Sequence, residues 1–368
     1  MGRKGGSLFL LPEAFRNPGG IERYNRDQVQ AFRKCRPEEP VTILVLNDGP
    51  ADLTRHEWDG CECRGFSGRK VAFALASFHA ARRAAPARVI LGHRHFLPLV
   101  SGLKASAPQT PIWLMLYGVE AWKRVSRLEK ALLKGVSRAF AISPYTVRQS
   151  EAAGFPAPVE LWPCGLPFDF RLPARVSPEM RSPARLLTVT RLSAAEGYKG
   201  VDHTLRALGA LLRRGARAQL DVVGDGDDRP RLEALAEAEG VREQVRFRGR
   251  VSDAELREAY RTCDLFVLPS GGEGFGIAYL EAMAYGKPVI AADAAAAPFV
   301  VRPGESGYLV PFGDVEALTD RLGSLLGNPA EAVSMGATGR CFLEKSFTFE
   351  RFVARCGEIL SAEKGAAG

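Results

Sequence analysis

The sequence predicts an α/β protein of two doubly wound domains, each a parallel sheet with helices on both faces. Three observations lead there. Short apolar or β-branched runs alternate with amphipathic stretches along most of the chain, as parallel strands joined by crossover helices require. The length, 368 residues, exceeds one ordinary domain. Near the middle, residues 171–183 carry Pro173, Pro178 and Pro183 and few large apolar side chains, which reads as a linker.

In the first half, residues 7–11, 41–46, 89–91 and 112–116 are strands fit for burial on both faces. Helices are predicted between them at 21–36 and 69–85. The second half predicts strands at 185–189, 219–223, 245–248, 265–268 and 288–291, with helices at 200–214, 229–239, 253–262 and 277–285. Ser252, ahead of Asp253 and Glu255, is placed to cap a helix with acids in its first turn. Helices at 315–326 and 349–360 close the chain. The division expected is a first domain at 1–170, the linker at 171–183, a second domain at 184–346 and a C-terminal helix within 347–368 that crosses back to the first domain.

Hydrophobic residues make up 46% and charged residues 25%, enough for a full core. No apolar run approaches the roughly 18–20 residues of a membrane span. Arg3 and Lys4 precede an apolar run that stops at Pro12, too short for a signal peptide, so a cytoplasmic location is expected. Seven cysteines without framework spacing are expected as reduced thiols. Cys61 and Cys63, with only His56 near in sequence, do not complete a zinc site. The net charge of +8 is uneven: residues 1–170 hold 24 Lys and Arg against 15 Asp and Glu, and the remainder 26 against 27. A basic first half suggests an anionic partner. Nucleic acid is set aside, because no binding module or aromatic interleaving accompanies the charge.

The chemistry concentrates in Pro269-Ser-Gly-Gly-Glu-Gly-Phe-Gly-Ile-Ala-Tyr-Leu-Glu281. This segment follows a strand and opens a helix, so glycines allow close backbone approach and the helix start presents unpaired N–H groups to an anion. Glu273 and Glu281 would repel a bare phosphate; they suit sugar and ribose hydroxyls flanking a diphosphate. Asp225-Gly-Asp227 follows a strand and precedes a helix, so turn formation and N-capping account for it. His93 and His95 end a first-domain strand, and His203 is expected on a helix surface.

Glu273 and Glu281, with seven residues between them, resemble the E-x7-E signature of retaining glycosyltransferases of the GT-B fold, family 4. Leu187-Thr-Val-Thr-Arg-Leu192 with Lys199-Gly200, Val222-Val-Gly-Asp-Gly226, Phe247-Arg-Gly249 and Gly307-Tyr-Leu-Val310 extend the resemblance through the second half. Gly19-Gly20-Ile-Glu-Arg, Leu91-Gly-His93 and Tyr117-Gly-Val-Glu120 resemble the family's first-domain loops more loosely. The resemblance implies two Rossmann-like domains facing across a cleft and metal-independent transfer of a sugar from a UDP- or GDP-sugar, with no further cofactor. The acceptor would be a glycan or a lipid-linked molecule. It assigns Arg191 and Lys199 to the diphosphate, Glu273 to donor-sugar hydroxyls and Glu281 to the ribose. Gly274, Phe275, Gly276 and Ile277 would line the donor with backbone groups, and Gly20 would let the first-domain loop close over the diphosphate. Two departures stand out: Tyr117 where the family commonly has His, and Phe299 after Pro298 where it often has an acid. They leave a catalytically silent binding scaffold, or a non-transferase relative such as a sugar-nucleotide epimerase, as alternatives.

A last expectation concerns residues 122–138. On a helical wheel, Trp122, Val125, Leu128, Leu132, Leu133 and Val136 share one arc. Lys123, Arg124, Arg127, Lys130, Lys134 and Arg138 share the opposite one. Such a helix predicts peripheral docking on an anionic membrane surface, on its inner face.

Overall fold

The computed structural model describes residues 5–16, 19–53, 58–155, 158–174 and 180–365. Arg3, Lys4, His56 and Pro178 lie outside them. The chain forms two units, residues 1–169 with 349–368, and residues 170–348.

The first unit runs β1 (Ser7–Leu11), α1 (Gly20–Cys35), β2 (Val41–Val45), β3 (Glu62–Gly65), α2 (Lys70–Ala84), β4 (Arg88–Leu91), α3 (Val100–Ser106), β5 (Ile112–Leu116), α4 (Val119–Trp122), α5 (Arg127–Leu133), β6 (Arg138–Ala141), α6 (Pro144–Ala153) and β7 (Val159–Leu161). Its seven strands are all parallel in the order β3-β2-β1-β4-β5-β6-β7. The second unit runs β8 (Ala184–Val189), α7 (Val201–Arg213), β9 (Ala218–Val223), α8 (Arg229–Ala238), β10 (Val245–Gly249), α9 (Asp253–Thr262), β11 (Leu265–Leu268), α10 (Ile277–Ala284), β12 (Val289–Ala292), α11 (Ala297–Val300), β13 (Gly307–Val310), α12 (Val315–Gly327) and α13 (Pro329–Ser346). Its six strands, also parallel, take the order β10-β9-β8-β11-β12-β13. Both sheets reverse direction beside the first strand of their unit, between β1 and β4 and between β8 and β11. Ligands in such sheets bind beyond the strand ends at that reversal.

The fold is therefore the expected pair of Rossmann-like α/β domains. Central strands are buried along their whole length, as in Leu8, Phe9, Leu10 and Leu11 of β1 or Leu265, Phe266, Val267 and Leu268 of β11, because helices cover both faces. The chain's last helix, α14 (Phe349–Gly365), packs in the first unit. Arg355 Nε donates to the Leu161 carbonyl (3.0 Å), and Arg138 Nη1 donates to that of Ile359 (3.0 Å). Phe352 stacks on Trp162 at 5.3 Å.

Residues 122–138 do not form the single helix expected. Arg94, itself buried, donates to the carbonyls of Glu120 (2.6 Å) and Lys123 (2.9 Å), which a continuous helix would need for its own ladder. The chain breaks at Lys123, and Ser126 starts α5 with a reciprocal capping box to Glu129. Leu128, expected on the packed arc, is 71% exposed. Among the described residues, no helix is long and apolar enough to cross a membrane.

Candidate active site

At the carboxyl end of β8 the backbone turns through Arg191 and a 3-10 segment, Ala194–Lys199, into α7. Gly200 ends that segment in the left-handed region, and a Cβ there would stand 2.4 Å from the Pro269 carbonyl oxygen. Only glycine allows so close an approach. It brings Lys199 against the loop that leaves β11, and Gly271 N–H donates to the Tyr198 carbonyl (2.8 Å) to hold the two loops together. Lys199 Nζ then meets Glu273 Oε1 at 2.8 Å, both side chains largely buried. Burial alone would push the Lys199 ammonium down, but the charge and hydrogen bond of Glu273 hold it above the usual lysine range.

The Glu273 loop is anchored at several points. Ala296 N–H donates to its carbonyl (3.1 Å), and the Tyr198 ring lies over Gly272. Phe275 is buried edge-on against Phe299 (6.0 Å) and Phe347 (5.6 Å). Gly276, at φ +96°, is the N-cap of α10, where a side chain would strike the Tyr279 ring. Tyr279 in turn donates to the Leu268 carbonyl (2.9 Å), clamping α10 to the end of β11. Ile277 opens α10 half-buried, and Gly274 stands half-buried in the loop. Glu281, one turn further on, is buried and accepts from Tyr260 Oη at 2.8 Å.

Arg191 differs from these. Its side chain is 73% exposed and pairs with Glu196 at 2.6 Å. Thus Arg191, Lys199, Glu273, Gly274, Phe275, Gly276, Ile277 and Glu281 lie on neighbouring segments at one end of the second sheet. Gly20 belongs to the first unit, as the exposed first residue of α1. The sequence does not single out Glu196, Tyr198, Tyr260 or Tyr279, because their partners are set by how the loops and helices fold together: Glu196 meets Arg191 across the turn after β8, and Tyr260 meets Glu281 from a separate helix. The Gly-Tyr-Lys-Gly run around Tyr198 was the one local hint.

The two departures from the family pattern have structural explanations. Tyr117 is buried and donates to Asn25 Oδ1 (2.7 Å), while Glu120 Oε1 accepts from the Tyr117 and Gly118 N–H groups (2.6 and 3.0 Å). The phenol thus completes a core hydrogen bond. Phe299 belongs to the aromatic cluster behind the Glu273 loop. His93 is buried, its Nδ1 accepting from His95 N–H (3.1 Å); burial pushes its imidazole below the usual range, against the pull of Glu120. His203 is half-buried under Phe312 (5.1 Å) rather than surface-facing. In Asp225-Gly-Asp227, Asp227 accepts from Ala194 N–H (2.8 Å), and the N-cap position of α8 falls to Asp228. The pair braces the Arg191 loop instead of capping a helix. Among the described residues, no group of three His, Cys, Asp or Glu is placed to hold a metal ion.

Residues 177–341 match the family model described as glycosyl transferases group 1. A GDP-mannose-dependent monoacylated alpha-(1-6)-phosphatidylinositol monomannoside mannosyltransferase of Corynebacterium glutamicum is 31% identical over 287 residues, covering 73% of this chain and 74% of that protein. A GDP-mannose-dependent alpha-(1-6)-phosphatidylinositol monomannoside mannosyltransferase of Mycolicibacterium smegmatis is 34% identical over 242 residues. That match covers 61% of this chain and 62% of the relative's length. Among solved structures, Anabaena HepE in complex with UDP and glucose superposes with a TM-score of 0.77 at 19% identity, over 96% of this chain and 99% of the other. A sucrose-phosphate synthase from Thermosynechococcus elongatus gives 0.78 at 21%, over 99% and 100%. At these identities the structural matches bear on the fold alone, and that fold is GT-B.

Proposed function

The chain belongs to the glycosyl transferases group 1 family, and on that footing we propose that it moves a hexose from a nucleoside diphosphate to an acceptor, with retention at the anomeric carbon. GDP-mannose is the donor we favour, because the relatives at 31% and 34% identity are named as GDP-mannose-dependent. Their names also include phosphatidylinositol mannosides, which supports a lipid-linked acceptor.

The observation that carries the reading is the Lys199–Glu273 pair on a glycine loop that runs into α10, with Glu281 one turn beyond. Before donor arrives, each cation assigned to the diphosphate is held by a carboxylate: Lys199 by Glu273 and Arg191 by Glu196. Breakage of the sugar–phosphate bond leaves charge on the nucleoside diphosphate, and a fixed, desolvated cation stabilises that charge most where it develops. Glu273 takes donor-sugar hydroxyls and Glu281 the ribose, with N–H groups of residues 274–277 toward the donor. The departing phosphate oxygen accepts the proton of the acceptor hydroxyl, whose oxygen bonds to the anomeric carbon on the face the phosphate leaves.

Docking on anionic membrane is part of this reading, on a surface other than the continuous helix expected. Val71 and Leu75, one turn apart on α2 beside Lys70, are exposed, as is Leu128 beside Arg127 on α5. Apolar side chains among cations suit an interface of this kind.

The test is GDP release from GDP-mannose by the purified chain, with and without phosphatidylinositol mannoside. Acceptor-dependent release with a new mannosylated lipid is expected. Sugar interconversion without acceptor would move the reading to an epimerase, and an intact donor under all conditions to a silent scaffold.

A further inference from the structure

Seven cysteines are free in this structure, and two of them meet where α1 packs on α14. Cys35 is the last residue of α1 and is half-buried; Cys356 is buried in α14. The Cys35 sulfur lies 3.4 Å from the Val353 carbonyl oxygen and 3.8 Å from where a Cβ on Gly357 would stand. It therefore rests on the one turn of α14 that carries Cys356. The Cys35 thiol donates to that Val353 carbonyl, and each of the two thiols shifts the other's titration.

We propose that Cys35 and Cys356 form a reversible, peroxide-responsive disulfide that pins α14 to α1. The surroundings give the two sulfurs different roles. The Cys356 hydrogen bond, with help from Arg36 and against partial burial, lowers the Cys35 thiol to about 7, so much of it is thiolate at neutral pH. Burial and the Cys35 neighbour push Cys356 up. A reachable, acidic thiol beside a buried resolving thiol is the arrangement that peroxide-sensing pairs use. Cys61 and Cys63 contrast with it, since burial raises both, Cys63 to about 12.

The Cys35 thiolate attacks one peroxide oxygen, the O–O bond breaks, and hydroxide leaves a sulfenic acid on Cys35. The Cys356 sulfur then attacks that sulfur, forming the S–S bond as the S–O bond breaks. Its thiol proton goes to the departing hydroxide as water. Two thiols are oxidised and one peroxide is reduced to two waters, and a small-molecule thiol reverses the bond by exchange. Closing the sulfurs to about 2.05 Å asks for a side-chain adjustment at a helix-terminal residue, where the backbone is least constrained.

The test uses the full chain treated with hydrogen peroxide while folded, then digested without reductant. A peptide pair joined through residues 35 and 356 is expected, and dithiothreitol should remove it. Oxidised parent should melt at higher temperature than reduced parent, and Cys35→Ser or Cys356→Ser should lose that difference. In untreated protein, the rate of Cys35 alkylation should be half-maximal near pH 7. Absence of the 35–356 pair from folded, peroxide-treated parent overturns the proposal even if neither variant folds. So does alkylation of Cys35 with the pH profile of an ordinary thiol.

Discussion

Arg88 offers the sharpest test of how the last helix is held. It sits at the start of β4, buried, and donates to Ser7 Oγ (2.7 Å), to Glu39, and through two nitrogens to Glu363 Oε2 of α14 (2.8 and 3.0 Å). Its guanidinium also lies 5.6 Å from the Trp113 ring centre. Glu39 and Glu363 have 13% and 23% of their side chains exposed, and Arg88→Ala leaves both without the cation between them. Removing one partner of a buried ion pair costs about 3–5 kcal/mol; partial exposure of Glu363 places this case near 3. All four tryptophans, Trp58, Trp113, Trp122 and Trp162, belong to the first unit. Urea unfolding followed by tryptophan fluorescence therefore reports that unit alone, which matters because a two-unit chain need not unfold in one step. The midpoint should fall with little change in slope, and Glu363→Gln should cost clearly less, because one neutral hydrogen bond remains. A loss under about 1 kcal/mol for Arg88→Ala would refute the view that this buried network, rather than apolar contact alone, secures α14.

Four further outcomes are expected. Lys199→Ala and Arg191→Ala should each lower donor turnover about a hundredfold or more, read by GDP release; near-full activity in either would remove that residue from the diphosphate. Glu281→Gln should weaken binding of free GDP in calorimetry, while Glu273→Gln should spare it and impair use of GDP-mannose. Burial pushes Asp27 up to about 8, against the pull of the Phe168 N–H, Arg23 and Arg26 and with some help from Asp169. The folded state then holds a proton that the unfolded chain lacks between about pH 4 and 8. Stability should fall as pH rises through that window, by about 6 kcal/mol at most, and Asp27→Asn should flatten the slope in fluorescence-detected urea titrations. Val71→Ser with Leu75→Ser should reduce co-sedimentation with anionic vesicles; unchanged binding would take α2 out of the docking surface.

Central strands were legible because burial on both faces leaves a continuous apolar run: residues 7–11, 112–116 and 265–268 match β1, β5 and β11 end to end. The edge strand β10 was read at 245–248, but the first sheet's edges, β3 and β7, were not, nor was the short β6 inside it. Glu-Cys-Arg-Gly in β3 and the three residues of β7 carry no such run, since neighbours, not composition, hold an edge in place. Helix α13 escaped notice because Gly336 and Gly339 interrupt its apolar pattern; the structure uses the first to pass close to the Gly286 carbonyl. The wheel drawn over residues 122–138 failed for a tertiary reason, the Arg94 guanidinium taking the carbonyls. At the site, the glycine loop and its two acids were visible as one local motif. What holds each acid, Lys199 for Glu273 and Tyr260 for Glu281, comes from a loop and a helix elsewhere in the second unit, 74 and 21 residues away.

The placement of α14 has a consequence for synthesis. The first unit is discontinuous in the chain, with residues 170–348 inserted before its last helix. A ribosome making about 5–20 residues per second needs roughly 10–35 s to cross that insertion. Throughout that interval Tyr24 and Trp162 lack the Phe352 ring that later packs on each at 5.3 Å. Vectorial folding thus reaches the second unit while the earlier one waits, with an apolar seam open, for a helix synthesised after it.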